Sequence, residues 1–418
     1  MNRAPGRFAG TQSQSLAVMA LLGLALLLRL AFVLRFYHNP ANLLDVDGYA
    51  PLGRAILERG EYSLVPGLPT IERTPGFPLW IAALYLLFGK NPMVVLVANA
   101  VLSVATCGLA YILARRLFSR RAAWFSLIFW VFYPYSIYYC GWTYMESFLT
   151  FLVALFLWCL LEWRERLSAP WGGLCGTLGA VLALTNPAGL IFVGLAPAAL
   201  LPKAGLRFGA RLALPYYICL AVFFAPWPLR NQLSVGAPVL TNIHGGQNLY
   251  EALIVPPGDL GTPEQTRLLS ADSHYQRVIR LMGEHREVEA YRQYMRGSLR
   301  LISKNPWRYL GAVAFRVVKL WRLAPYRRSY SYGYGRIFWL SLLSDGLAIP
   351  LGLLGLWSFR RRWDELLPLH LAAGLWTLAY ALVYVVMRYR MPVIVVMILF
   401  AAAWLDRVLP KAGRAGGA

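Results

Sequence analysis

The chain has 418 residues, 58% of them hydrophobic and only 14% charged, with a mean hydropathy of +0.50. Soluble domains carry about a quarter charged residues, so this composition excludes an ordinary soluble enzyme and leaves little chain for a second, soluble domain. The formal charge of +22 does not indicate a nucleic-acid partner, because the Lys and Arg lie mainly in the connections between apolar segments, as membrane topology requires.

Apolar stretches at about 16–36, 92–114, 122–139, 147–161, 171–185, 188–202, 211–226, 336–358, 366–386 and 391–408 predict ten membrane-spanning helices. The first lacks a small-residue cleavage site and reads as a retained helix rather than a signal peptide. The expected fold class is therefore an all-α integral membrane bundle, with residues 1–418 forming a single membrane-embedded domain. Placing the N-terminus in the cytoplasm puts five Arg- and Lys-bearing segments inside, including Arg115, Arg116, Arg120 and Arg121, then Arg360, Arg361 and Arg362. The C-terminus then also lies inside, and the short loops near 140–146 and 186–187 carry no Lys or Arg. That pattern is expected of a multi-pass protein of a cytoplasmic (inner) membrane.

Two external regions are long, 37–91 and 227–335. Within the first, Phe77 to Gly89 is apolar but too short to span, and fits a helix lying in the interface. Within the second, Thr262-Pro263-Glu264 opens a polar helix, with Thr at the cap and Pro at the first helical position. Pro306 to Leu323 then places Trp307, Leu310, Ala314, Val317 and Trp321 on one face and Arg308, Lys319 and Arg322 on another, as in an amphipathic surface helix. The Gly/Ala tail after Leu409 reads as disordered. The five cysteines lie in or beside apolar helices without metal-ligand or CxxC spacing, and read as packing residues.

Asp45-Val46-Asp47 opens the first external region. Two carboxylates within three positions at a membrane surface lose solvation unless a partner or substrate compensates them. Either could remove a proton from an acceptor hydroxyl; the alternative is a helix cap with a solvated first turn. Glu146 stands at the head of a predicted helix among aromatic and apolar residues, where a charge at the N-terminus is favourable but Ser147 or Thr143 would cap equally well. Four external arginines suit a phosphate through their planar fork of donors: Arg73, Arg230, Arg388 and Arg390. The same segments supply Tyr49, Glu72, Tyr389 and Asn248 as candidate donor- or acceptor-binding side chains. Asp45 and Asp47 could also hold a divalent cation with water and phosphate ligands, although two carboxylates are few for one.

In order, the Asp-x-Asp start of loop one, Arg-x-Pro-Gly-Phe-Pro-Leu, Ala-Arg-Arg-Leu-Phe, Tyr-Met-Glu-Ser-Phe, Pro-Trp-x-x-Arg-Asn with a following Gly-Gly-x-Asn-Leu, and Arg-Tyr-Arg-Met-Pro resemble the GT-C superfamily. The resemblance is to the branch of protein O-mannosyltransferases and aminoarabinose transferases, and it spans nearly the whole chain. It implies transfer of a sugar from a polyprenyl-phosphate donor to a lipid, glycan or protein acceptor, with inversion at the anomeric carbon. It further implies Asp45 or Asp47 as the base, Glu146 as the second carboxylate, and Arg73 where the aminoarabinose branch has a phosphate-binding lysine. Asn186-Pro187 stands where many relatives have Arg-Pro, and the chain is expected to lack the large C-terminal periplasmic domain seen in some relatives. Two other readings remain: a lipid-linked sugar transporter, and a ligase using a pyrophosphate-linked oligosaccharide.

Overall fold

The computed structural model describes residues 6–37, 45, 47–260, 262–327 and 333–410. The start of the first external region and the Gly/Ala tail therefore lie outside the described residues. Among them the only sheet is a small hairpin, β1 (Ser63–Val65) paired antiparallel with β2 (Leu68–Pro69). Everything else of regular structure is helical.

The chain begins with α1 (Gly6–Tyr37), followed by α2 (Tyr49–Arg59), the hairpin, and α3 (Gly76–Phe88). Then come α4 (Pro92–Leu117), α5 (Arg120–Val131), α6 (Pro134–Tyr138), α7 (Glu146–Arg166), α8 (Ala169–Thr185), α9 (Gly189–Leu195) and α10 (Leu201–Phe224). The long second region is α11 (Pro226–Val235), α12 (His244–Ile254), α13 (Pro263–Ala271), α14 (Ser273–Gly283), α15 (Glu287–Lys304) and α16 (Pro306–Leu320). Three helices close the fold: α17 (Tyr334–Ser358), α18 (Leu367–Val383) and α19 (Met391–Val408).

Six helical segments are long and apolar enough to cross a bilayer, and α3, α8 and α18 are shorter apolar helices of 10–17 residues. The expected ten spans thus resolve into a less regular set. The predicted span over 122–139 breaks at Phe132, because Pro134 removes a backbone donor and starts a new turn. The freed carbonyls are not left bare. Arg29, fully buried in α1, donates to Val131 O at 3.2 Å and Trp130 O at 3.0 Å, and to Ser136 Oγ at 2.7 Å. Broken backbone at this depth is tolerated only when such partners satisfy it.

α19 sits at the centre. Every residue from Met391 to Ala403 is buried, as expected of a helix apolar all round. It packs on α17, α5 and α7. The faces of α1, α10 and α17 turn outward with large apolar side chains, among them Leu27, Leu214, Leu343 and Leu347. Trp339 and Trp357 stand exposed near the two ends of α17, where aromatic belts meet a membrane interface.

The basic clusters gather at one end of the bundle. Arg116 of α4 pairs with Glu162 of α7 at 2.7 Å, Arg164 donates to the Asp364 and Glu365 carbonyls, Arg362 donates to Leu117 O, and Arg407 donates to Ser358 O. The starts of α7 and α19 lie at the other end. There α2, α3 and the helices α12–α16 assemble, and the carboxylates named above are found there too.

As expected, α3 is a short apolar helix, and it packs on α2. α16 is amphipathic as expected, with Trp307 80% exposed, but part of its charge is turned inward: Lys319 of the expected charged face, and Arg316, are buried and donate to backbone carbonyls of the 252–260 segment, while Arg308 is exposed.

Candidate active site

Asp47 precedes the left-handed Gly48 (φ 72°), which turns the chain into α2. At φ > 0 a glycine carries none of the strain that a side chain would add. The turn aims the two aspartates differently. The Asp45 carboxylate accepts from the Ala50 backbone N–H and so closes the start of α2, while burial pushes its pKa upward. Asp47 points the other way. Its Oδ2 lies 3.1 Å from Arg388 Nη1, its Oδ1 accepts from Arg388 Nη2 at 3.3 Å, and Arg73 Nη2 is 4.0 Å away.

Arg388 reaches a second acid. Its Nε lies 3.5 Å from Glu146 Oε1 at the head of α7, and the other oxygen, Glu146 Oε2, is buried without a hydrogen-bond partner. The guanidinium lies over the ring of Tyr144, 4.7 Å from its centroid. Arg388 belongs to a 3-10 turn, Met387–Arg390, between α18 and α19. The turn is held by Trp376 Nε1 donating to Tyr389 O at 2.9 Å and by stacking of Tyr389 on Tyr380.

Arg73 is fixed through its backbone. The Tyr62 hydroxyl donates to the carbonyls of Arg73 and Thr74, and Thr74 Oγ1 donates to Thr185 O at 3.0 Å. Gly76 lies so close to Thr185 that an added Cβ would fall 2.4 Å from its Oγ1. The Arg73 guanidinium sits over the Tyr49 ring at 5.3 Å, and its Nε is buried with no partner.

Asp47, Arg73 and Arg388 face two adjoining cavities, whereas Asp45 and Glu146 line neither. The larger, about 580 Å³, is lined by Asp47, Arg73 and Arg388 together with a wall of tyrosines that includes Tyr135, Tyr139 and Tyr144. The smaller, about 200 Å³, is lined by Tyr49, Thr185, Asn186, Pro187 and Tyr380. Arg73, His244, Asn248, Tyr384, Arg388 and Tyr389 line both. Such a space is of the size that holds small ligands.

Not every candidate residue faces it. Arg390 is buried against the Asp345 carboxylate and donates to Leu320 O and Arg322 O, so its donors are taken by the fold. Arg230 donates to Thr70 O at 2.9 Å and Tyr62 O at 2.8 Å, which ties down the segment that carries Arg73. Glu72 lines neither cavity. Asn186 Oδ1 accepts from the Tyr380 hydroxyl and the Ala188 N–H; at that position the chain offers an amide, not a cation. Among the described residues no group of three or more His, Cys, Asp or Glu side chains is placed to hold a metal ion. Between Asp47 and Glu146 stands the Arg388 guanidinium. His244, which lines both cavities, had no sequence signal beyond its place beside Gly245-Gly246. Burial and the nearby Arg73 charge hold its pKa down to about 4, so it is neutral.

The model of the dolichyl-phosphate-mannose-protein mannosyltransferase family matches residues 72–228, less than half of the chain. The archaeal oligosaccharyltransferase AglB from Archaeoglobus fulgidus, in complex with an inhibitory peptide and a dolichol-phosphate, superposes with a TM-score of 0.55 over 94% of this chain, at 13% identity. The chain shares the membrane-bundle fold of that oligosaccharyltransferase. The apo form of an Archaeoglobus fulgidus oligosaccharyltransferase gives a TM-score of 0.51 over 93% of the chain, at 15% identity. ArnT from Cupriavidus metallidurans bound to undecaprenyl phosphate covers 93% of the chain and is itself covered to 78%, with a TM-score of 0.38 and 15% identity. The chain spans about half the length of the two oligosaccharyltransferases. No curated protein is similar enough in sequence to count as a relative.

Proposed function

We propose that the protein transfers a sugar from a polyprenyl-phosphate donor to an acceptor hydroxyl, with inversion, on the extracytoplasmic face of a cytoplasmic membrane. The observation that carries the reading is the meeting of the Asp47 carboxylate with two guanidiniums, Arg73 and Arg388, at one pair of cavities, with Glu146 buried against Arg388. The match to a family of dolichyl-phosphate-mannose transferases supports a lipid monophosphate donor. The acid–guanidinium cluster lies at the bundle end opposite the basic connections, which supports the side of the membrane.

Asp47 is the base in this reading, because Asp45 is turned into the start of α2 and faces neither cavity. Without donor, Asp47 is held by Arg388. An arriving phosphate competes for the same guanidiniums, which frees the carboxylate to take the acceptor proton as the acceptor oxygen attacks the anomeric carbon. The bond to the phosphate oxygen breaks on the opposite side of that carbon. Arg73 and Arg388 then stabilise the departing phosphate, whose charge grows as the bond breaks. Glu146 holds Arg388 in place from behind.

The test is turnover of undecaprenyl-phosphate sugars by the purified protein in lipid nanodiscs, set beside the corresponding pyrophosphate-linked sugars and a vesicle transport assay. Hydrolysis or transfer from the monophosphate, abolished in Asp47→Asn with lipid binding retained, supports the reading. Transport without turnover, or use of the pyrophosphate donor alone, sinks it.

A further inference from the structure

The face of α12 turned to both cavities contributes His244 and, one turn on, Asn248. Residues four apart on a helix share a face. Behind them runs a chain of hydrogen bonds. His244 Nδ1 lies 3.2 Å from Gln247 Oε1, and Gln247 Nε2 donates to Glu251 Oε1 at 2.9 Å. Glu251, 7% exposed, also accepts from Gln265 Nε2 at 2.9 Å and from the Tyr275 hydroxyl at 3.1 Å. Three donors converging on one carboxyl group suit the ionised form, which only accepts.

That end of the chain fixes the other. With its amide N–H given to Glu251, Gln247 offers His244 a carbonyl oxygen, which can only accept. The single proton of the neutral imidazole therefore sits on Nδ1, and Nε2 carries a bare lone pair. Nε2 is buried and has no hydrogen-bond partner. A buried acceptor left unsatisfied costs free energy until something donates to it. A phosphate oxygen cannot do so, since it brings lone pairs and negative charge. A neutral hydroxyl can.

We infer that His244 Nε2 accepts a hydrogen bond from a hydroxyl of the bound sugar, with the Asn248 amide, able to donate and accept, taking a neighbouring hydroxyl. The inference rests on the proposed reading of the cavities as a sugar-phosphate site, and it divides them by chemistry: anion at the guanidiniums, polyol at α12. A site built to pair with a hydroxyl rejects a ligand that lacks one, because its own polar group is then stranded.

The experiment measures binding of three probes to the full-length protein in nanodiscs: undecaprenyl phosphate, and the same carrier bearing mannose or glucose. His244→Phe removes the acceptor, and His244→Gln restores one. A sugar-bearing carrier is expected to bind wild type more tightly than the bare carrier, and His244→Phe to lose about tenfold for that carrier alone. His244→Gln should recover part of the loss. Equal loss for bare and sugar-bearing carriers, no loss for either, or a wild type that gains nothing from the sugar overturns the inference. A wild type that binds none of the three carriers overturns the donor reading itself, and the inference with it. Should His244→Phe not fold, ¹⁵N NMR of the wild-type imidazole decides: a proton on Nδ1 is expected, and a proton on Nε2 overturns the assignment.

Discussion

Asp45 and Asp47 are the same residue type two positions apart, yet they do different work, and their substitutions should separate cleanly. Asp47→Asn keeps the size of the side chain and removes its basicity, so turnover is lost while carrier binding persists. Asp45→Ala removes the acceptor that closes α2, at a cost of about 1 kcal/mol, which lowers the melting temperature and leaves catalysis largely intact, while Asp45→Asn keeps an acceptor there. Arg73→Ala removes a charge-assisted contact worth about 1.5–3 kcal/mol, seen as a ten- to hundredfold weaker affinity for undecaprenyl phosphate. Arg390→Ala acts through stability instead, because it strands the buried Asp345 carboxylate. Breaking such a pair costs about 3–5 kcal/mol, and thermal unfolding in detergent should report it. His244 adds a pH signature. Its folded pKa of about 4 lies below the ordinary 6.5, so the folded protein binds fewer protons there than the unfolded chain. Its contribution is full above about pH 6.5 and is lost as pH falls towards 4; His244→Gln should flatten that part of a melting-temperature profile. The sequence named all four residues of the acid–guanidinium cluster, since residue type and membrane side suffice for a list of candidates. It could not tell Arg388 from Arg390, because the difference lies in Asp345, 45 residues away on α17.

At the level of helices, close approach rather than apolar area decides the packing. α17 meets α19 through Gly352 and Gly355, where an added Cβ would lie 2.8 Å from Met397 O and 2.1 Å from Phe400 O. Small residues allow such approach in membrane bundles. Gly355→Ala should therefore destabilise by about 1–3 kcal/mol through overpacking. Gly374→Ala in α18, where a Cβ meets nothing within 4 Å, should be neutral or slightly stabilising through helix propensity. Melting temperatures of the two variants in one detergent test the contrast. Hydropathy marked the apolar segments well but not their continuity. The break between α5 and α6 needs Arg29 from α1 to satisfy it, over a separation of about 100 residues, and a sliding window of local hydropathy carries no information about such a partner. The inward turn of Arg316 and Lys319 on α16 escaped for the same reason: their partners are carbonyls of α12 and the segment after it.

Over the whole molecule, the proposed chemistry requires an orientation, and the orientation can be checked without any substrate. The basic connections and the acid–guanidinium cluster occupy opposite ends of the bundle, and Lys and Arg bias connections towards the cytoplasm. The hairpin of β1 and β2 extends from the cluster end, while Trp363 lies among the arginines at the other end and is 58% exposed. Four of the five native cysteines are buried and Cys219 is partly so, so a Cys219→Ser background should react little with a membrane-impermeant maleimide. In that background Pro66→Cys, at the exposed hairpin turn, should label on intact cells. Trp363→Cys should label only after the membrane is opened. Neither substitution alters a Lys or Arg, so neither perturbs the charge bias being tested. The reverse pattern would put Asp47 and Arg73 on the cytoplasmic face, where a carrier sugar presented outside could not reach them, and the proposed reaction would lose its substrate.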